Sequence, residues 1–200
     1  EDNVKMTGAP NRLRKTGDAS VPKGDRYVLL FGAKDAHVFA NPTPAQIRAQ
    51  LTDADRKMLA MRIGERSNIA TEEARIHGPE FDAAKYAPDQ PSAPGIQLGS
   101  FNAGPGQDED ELAAWYAQWR MPCMQRLPGC VRVRKYASVS GWAKHMILYE
   151  FLSTRARDAK FVDHEKVNPR MEEWTDVVVR KLVHAPGSPN LATRLYPPVV

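Results

Sequence analysis

His145 opens the stretch HMILYEF (residues 145–151), where strand alternation sets it on one face with Ile147, Tyr149 and Phe151. An imidazole among such neighbours is a hydrogen-bonded core residue or a general base. The second role needs a pKa near the working pH and a substrate proton within reach. Arg132 and Arg134 alternate along CVRVRKYASV with Tyr136 on the same face, and Arg120 follows the aromatic run Trp115, Tyr116 and Trp119. Guanidiniums converging on a cavity would hold a carboxylate or enolate bidentately and stabilise an oxyanion. The chemistry these types support is proton abstraction by His145, with Arg120, Arg132 and Arg134 as anion stabilisers. Trp115, Tyr116, Tyr136, Trp142 and Tyr149, with Tyr27 at the matching place in the first half, are the candidate substrate-binding residues, because aromatic walls suit an aromatic ligand. Each has a plainer alternative: aromatics at helical spacing are ordinarily core, and arginines on an edge strand lie in solvent or pair with acids.

The elements that must position these residues are clearest after residue 95. IQLGSFNA (96–103) predicts a strand ended by the Gly-Pro-Gly turn at 104–106. Asp108 with Glu111 resembles a capping box, and Leu112, Trp115, Tyr116 and Trp119 share one helical face up to Pro122. CVRVRKYASV and GWAKHMILYEFL predict two strands joined by a Ser-Gly turn. A second helix is predicted over about 154–168, burying Ala156, Phe161 and Val167 and stopping before Pro169; EWTDVVVRKLVHAP is read as a fourth strand. Strand, helix, strand, strand, helix, strand is the split βαβ, or ferredoxin-like, plait.

The first half echoes this order. RLRKTGDASVPKGDRYVLLF (12–31) returns 120 positions later as RVRKYASVSGWAKHMILYEF (132–151). Arg12–Lys15 and Arg26–Ala33 are therefore expected as strands, PTPAQIRAQL and TDADRKMLAMRIGE as helices, and IATEEARIHGPEF as the closing strand. In the second half 36 residues separate Ile96 from Arg132, whereas 11 precede Arg12, a shortfall of 25. The expectation is a first unit that lacks its opening strand and helix and a chain that is N-terminally incomplete or processed. The expected fold class is α+β: two tandem ferredoxin-like (βαββαβ) units at 1–85 and 96–186, a linker at 86–95 rich in Pro, and an extended tail at 187–200. Each unit covers one sheet face with helices, so the remaining faces are expected to close on each other as a pseudo-dimeric α/β barrel.

Composition narrows the function. The chain has 200 residues, 42% of them hydrophobic, enough for a substantial core, and no apolar run of membrane-spanning length. A net charge of +4 is spread among interleaved acids and bases, which argues against a nucleic-acid partner. No zinc-ligand spacing, phosphate loop or dinucleotide fingerprint occurs, so no metal and no cofactor is expected. Cys123 and Cys130 read as reduced thiols, which fits a cytoplasmic protein. His77 and His184 suggest a shared structural role near the prolines that follow them; His37 and His164 read as surface residues.

The run ELAAWYAQWRMPCMQRLPGCVRVRKY, followed by HMILYEF, resembles the dimeric α/β-barrel superfamily of ferredoxin-like proteins, which includes EthD-like proteins and antibiotic-biosynthesis-type monooxygenases. About 90 residues carry the resemblance. It implies a small-molecule substrate, a homodimer or intramolecular pseudo-dimer, and cofactor-independent lyase, isomerase, cyclase or monooxygenase chemistry on an aromatic or carbonyl-containing compound. It also admits haem, with His145 or His164 as axial ligand, and a non-catalytic ligand-binding or assembly module. Many relatives read WYxxxHxP, with a histidine facing the cavity; that slot is Arg120 here. Arginine stays protonated and cannot serve as a base, so it would bind an anionic or carbonyl group, or the chemistry has been lost.

Overall fold

A computed structural model describes residues 12–199. The opening segment 1–11, where the shortfall of the first unit was read, lies outside them. The fold is α+β: seven strands form one mixed sheet in the order β1-β6-β3-β5-β4-β2, with β7 also paired to β3. The strands are β1 (Arg14–Lys15), β2 (Ile69–His77), β3 (Gly95–Asn102), β4 (Cys130–Ser140), β5 (His145–Phe151), β6 (Val183–His184) and β7 (Asn190–Thr193). The α-helices are α1 (Pro44–Ala49), α2 (Asp53–Ala60), α3 (Gln107–Trp115), α4 (Met121–Met124), α5 (Thr154–Lys160) and α6 (Pro169–Lys181). From β3 to β6 the chain runs strand, helix, strand, strand, helix, strand, and the neighbouring strands β6-β3-β5-β4 all pair antiparallel.

Two stretches differ from the sequence expectation within this region. Residues 169–181 are a helix. Pro169 begins it, since a proline at the first helical position forfeits only an N–H that has no intrahelical partner, and Asn168 caps it by accepting from the Arg170 amide. Between α5 and α6 lies a 3₁₀ turn, His164–Val167, which leaves Val167 exposed and buries His164. His164 is thus not the surface residue its polar neighbours suggested.

The first half does not build a second sheet among the described residues. Only Arg14–Lys15 of the expected second strand pairs, parallel to β6, while β2 adds to the outer edge of β4. Residues 26–33 form no strand, and Tyr27, Leu29, Leu30 and Phe31 are exposed. An unbroken apolar run needs cover on both faces to persist as a strand, and this segment finds it only at Val28, which packs on Ile96, Leu98 and Leu148. Neither α1 nor α2 buries a residue. The far face of the sheet is covered instead by Val28 and by the stretch around Phe81, Tyr86 and Ala93, so the Pro-rich residues 86–94 lie against the sheet. The tail contributes β7, which pairs with the first half of β3.

The main core lies on the helix side. Phe101, Leu112, Trp115, Tyr116, Trp119, Val133, Ile147, Tyr149, Phe151 and Phe161 are among its buried members. Burying them supplies the main favourable free energy of folding, at roughly 25 cal/mol per Å² of apolar surface removed from water.

Candidate functional site

The helix α3 continues through a π-turn, Tyr116–Arg120, before α4. The wider turn holds Trp115, Tyr116, Trp119 and Arg120 all buried on the side facing the sheet. Such insertions recur at functional sites because they re-aim side chains that a regular helix would spread around its circumference. Trp115 is pinned from α6: its indole Nε1 donates to Thr175 Oγ1 at 3.1 Å. Tyr149 reaches up from β5, where alternation sends Ile147, Tyr149 and Phe151 to the same side.

These elements enclose a cleft of about 320 Å³ lined by Phe101, Trp115, Tyr116, Ile147, Tyr149 and Phe161, with Arg12, Arg120, Arg157 and Glu165 as its main charged groups. Gly99 leaves the floor open: a Cβ there would meet Ile147 Cγ2 at 2.8 Å. Arg120 is the centre of the polar network. Its Nε donates to Tyr149 Oη at 3.0 Å, and its Nη1 donates to Glu165 Oε1 at 2.6 Å and to His164 Nε2 at 2.7 Å. The guanidinium also lies 4.7 Å from the Phe161 ring centre and 5.3 Å from that of Trp115. Burial pulls its pKa down, but the facing Tyr149 and Glu165 more than offset this and the guanidinium stays protonated.

Glu165 is shared: Oε2 accepts from Arg12 Nη2 at 2.6 Å, and Arg12 also pairs with Asp176. Burial pushes the Glu165 carboxyl up, but Arg120 and Arg12 more than offset this and hold it below the usual carboxylate range. His164 is neutral: burial, reinforced by Arg120, pulls it down to about 4, and its Nδ1 donates to the Phe161 carbonyl. Both of its ring nitrogens are therefore occupied, which leaves none for a haem iron. Among the described residues no group of three or more His, Cys, Asp or Glu is placed to hold a metal ion.

The structure thus brings Arg120, Trp115, Tyr116 and Tyr149 together. His145 sits in an adjoining cleft of about 390 Å³, with Tyr116 as the shared wall and Glu73, Glu109 and Lys135 as the charged lining. Its Nε2 lies 2.7 Å from Glu109 Oε2, and its Nδ1 is buried without a partner. Burial draws the imidazolium below its ordinary value and Glu109 only partly offsets that. A ring with one nitrogen engaged and the other sealed is poorly placed to take a substrate proton. Lys135, buried beside it, is ion-paired with Glu73.

The remaining candidates lie elsewhere. Arg132 and Arg134 point to the opposite sheet face, because Val133 and Lys135 take the helix side. Arg132 grips the fully buried Glu150 with Nε–Oε1 at 2.7 Å and Nη2–Oε2 at 2.9 Å, and Arg134 Nε reaches the same carboxylate at 2.9 Å. Tyr136 belongs to that face. Trp142 occupies the β4–β5 turn, where its carbonyl accepts from Asn102 Nδ2. Tyr27 is 66% exposed.

Four site residues escaped the sequence reading: Gln97, Arg157, Phe161 as a cation platform, and Glu165. A signal exists in RARDAKFVDHEK, since Arg157, Phe161 and Glu165 recur at intervals of four and so share one helical face. The apolar residues Ala156, Phe161 and Val167 masked it by suggesting an ordinary packing stripe. Comparison of the chain with family models, with curated proteins and with solved structures finds no match.

Proposed function

We propose that this chain binds an aromatic or carbonyl-containing small molecule in the cleft between α3, α5 and the sheet, with Arg120 as the polar anchor. One observation carries the reading: a guanidinium only 7% exposed, stacked among aromatic rings, lines an apolar cleft. Its Nε and Nη1 are engaged by Tyr149, His164 and Glu165, whereas Nη2 has no hydrogen-bond partner among the described residues. A ligand oxygen accepting from this free donor would add a charge-assisted hydrogen bond, worth about 1.5–3 kcal/mol. The cleft volume falls at the lower end of the range of small-molecule sites. The test is titration of the protein with small aromatic ketones and acids, followed by Trp fluorescence. Binding that is lost in Arg120→Met while the circular-dichroism spectrum is retained supports the reading; unchanged binding in that variant refutes it.

A second reading is cofactor-independent catalysis of lyase, isomerase, cyclase or monooxygenase type on the same ligand. The Arg120–Tyr149 contact favours it. Together the guanidinium and the phenol would offer two donors to an oxygen that gains negative charge as the adjacent carbon passes its proton to hydroxide from solvent. Tyr116, buried and lining the same cleft, stands behind this pair. His145 contributes little here, for the reasons of geometry given above. The measurement that separates binding from catalysis is exchange of deuterium from solvent into the α-carbon of a bound ketone. Exchange that disappears in Tyr149→Phe indicates catalysis, and binding without exchange indicates a ligand-binding module.

A further inference from the structure

The cleft holds more buried positive charge than negative. Arg12, Arg120 and Arg157 have side chains 17%, 8% and 3% exposed, and the one carboxylate of comparable burial is Glu165 at 10%. The other acids engaged by these arginines, Asp158 and Asp176, are 35% and 38% exposed and so lie where water screens them. Arg157 is the more under-neutralised of the two innermost cations. Its Nε donates to Gln97 Oε1 at 2.9 Å and its Nη1 to Asp158 at 2.8 Å, and it makes no contact with Glu165. As with Arg120, its Nη2 has no hydrogen-bond partner among the described residues, and neither Nη2 is sealed from solvent. Both guanidinium carbons lie 4.7 Å from the centre of the same ring, Phe161. Both cations thus present a free, charged donor to the same cleft, which favours an anionic ligand.

We infer that the ligand is an aromatic carboxylic acid, bound as its carboxylate, and that Arg157 is the residue that selects for the acid. This rests on the cleft being the ligand site proposed above. The carboxylate lies within reach of Nη2 of Arg157, and the aromatic part occupies the pocket walled by Phe101, Trp115 and Ile147. Arg120 meets the carboxylate's second oxygen or a neighbouring carbonyl. Arg157 is thus a specificity-determining residue on α5.

The experiment uses matched pairs on the unaltered chain: benzoate, cinnamate and phenylpyruvate, each beside its primary amide, titrated calorimetrically at low and at moderate salt. The expected result is that each acid binds at least about tenfold more tightly than its amide, with the gap narrowing as salt rises. In Arg157→Gln the ratio of acid to amide affinity should fall to about one. If amides bind as tightly as acids, the carboxylate inference is overturned and the cleft reading stands. If Arg157→Gln leaves the preference for the acid intact, Arg157 is not the selector and the inference is likewise overturned. If neither form of any pair binds, both the inference and the cleft reading fail. Should Arg157→Gln not fold, the acid-to-amide ratio and its salt dependence on the unaltered chain decide the question.

Discussion

Arg120 and Glu165 meet at 2.6 Å between the π-turn after α3 and the 3₁₀ turn after α5, with side chains 8% and 10% exposed. The pair ties the two helical segments together beneath the cleft. Glu165→Gln keeps the shape and removes the charge, leaving Arg120 buried without its counter-ion. A loss of about 3–5 kcal/mol in unfolding free energy is expected, measured by urea denaturation. A loss below about 1 kcal/mol would show that Tyr149 and His164 suffice to hold Arg120.

Acid should destabilise the protein in two stages. His164 and His184 are held near pKa 4 in the folded state, by burial with Arg120 for the first and burial with Lys15 for the second, against an ordinary value of 6.5. The unfolded chain therefore takes up protons as the pH falls through about 6.5 while the folded chain does not, so stability declines from there down to about 4. Linkage at about 1.4 kcal/mol per pH unit allows each histidine up to roughly 3 kcal/mol. The second stage comes from Glu165 and Glu150, whose folded pKa values lie below the usual range. Their contribution is complete above the ordinary carboxylate pKa and is lost as the pH falls through the depressed values. Urea midpoints from pH 7.5 down to about 2.5 test both stages, and His164→Gln should flatten the upper part of the curve.

Thr175→Val preserves volume and removes the acceptor for the Trp115 indole, which is buried. The stranded Nε1–H should cost about 1–3 kcal/mol. Ligand affinity should fall as well, because the indole forms a wall of the cleft. Thermal unfolding and fluorescence titration of the same variant report the two effects separately.

Glu150 provides the contrasting case. It lies on the opposite sheet face, gripped by Arg132 and Arg134 and by the Ala93 amide at 2.9 Å. Glu150→Gln should lower stability by about 3–5 kcal/mol. Measured at a temperature where the variant is folded, ligand affinity should be unchanged. A change in affinity would mean that Arg132 and Arg134 act in the site after all.

Gly99→Val tests the cleft itself. Already a Cβ at this position would sit 2.8 Å from Ile147 Cγ2, and further methyls would project from the floor of the cleft. Overpacking of this kind costs typically about 1–3 kcal/mol. Binding of any ligand housed there should be abolished while the sheet survives, which far-ultraviolet circular dichroism can verify.

The elements of the second half were legible because their signals are local. Strand alternation in HMILYEF, the Gly-Pro-Gly turn and the aromatic spacing from Leu112 to Trp119 each involve residues close in sequence. Three of the four candidates that converge on the cleft, Trp115, Tyr116 and Arg120, come from one such element, and Tyr149 follows from the alternation. Pro169 was legible too, but a proline both ends one helix and begins the next. Only the Asn168 cap, formed in three dimensions, decides between the two.

What tertiary structure alone decided is which face each strand presents and what becomes of the first half. Arg132 and Arg134 alternate in sequence just as Val133 and Lys135 do, so alternation alone could not say which pair faces the helices; the packed structure puts Val133 in the core and Lys135 over the Tyr116 ring, beside Glu73. The repeat of RLRK and RVRK predicts two copies of one fold. A strand exists, however, only where a neighbour accepts its backbone hydrogen bonds and its apolar faces are covered. The first half lends β1 and β2 to the edges of a sheet that the second half already organises. The charged side of the cleft, where Glu165 meets Arg120 across 45 positions of chain and Arg157 shares the Phe161 ring with it across 37, is a long-range product of that same packing.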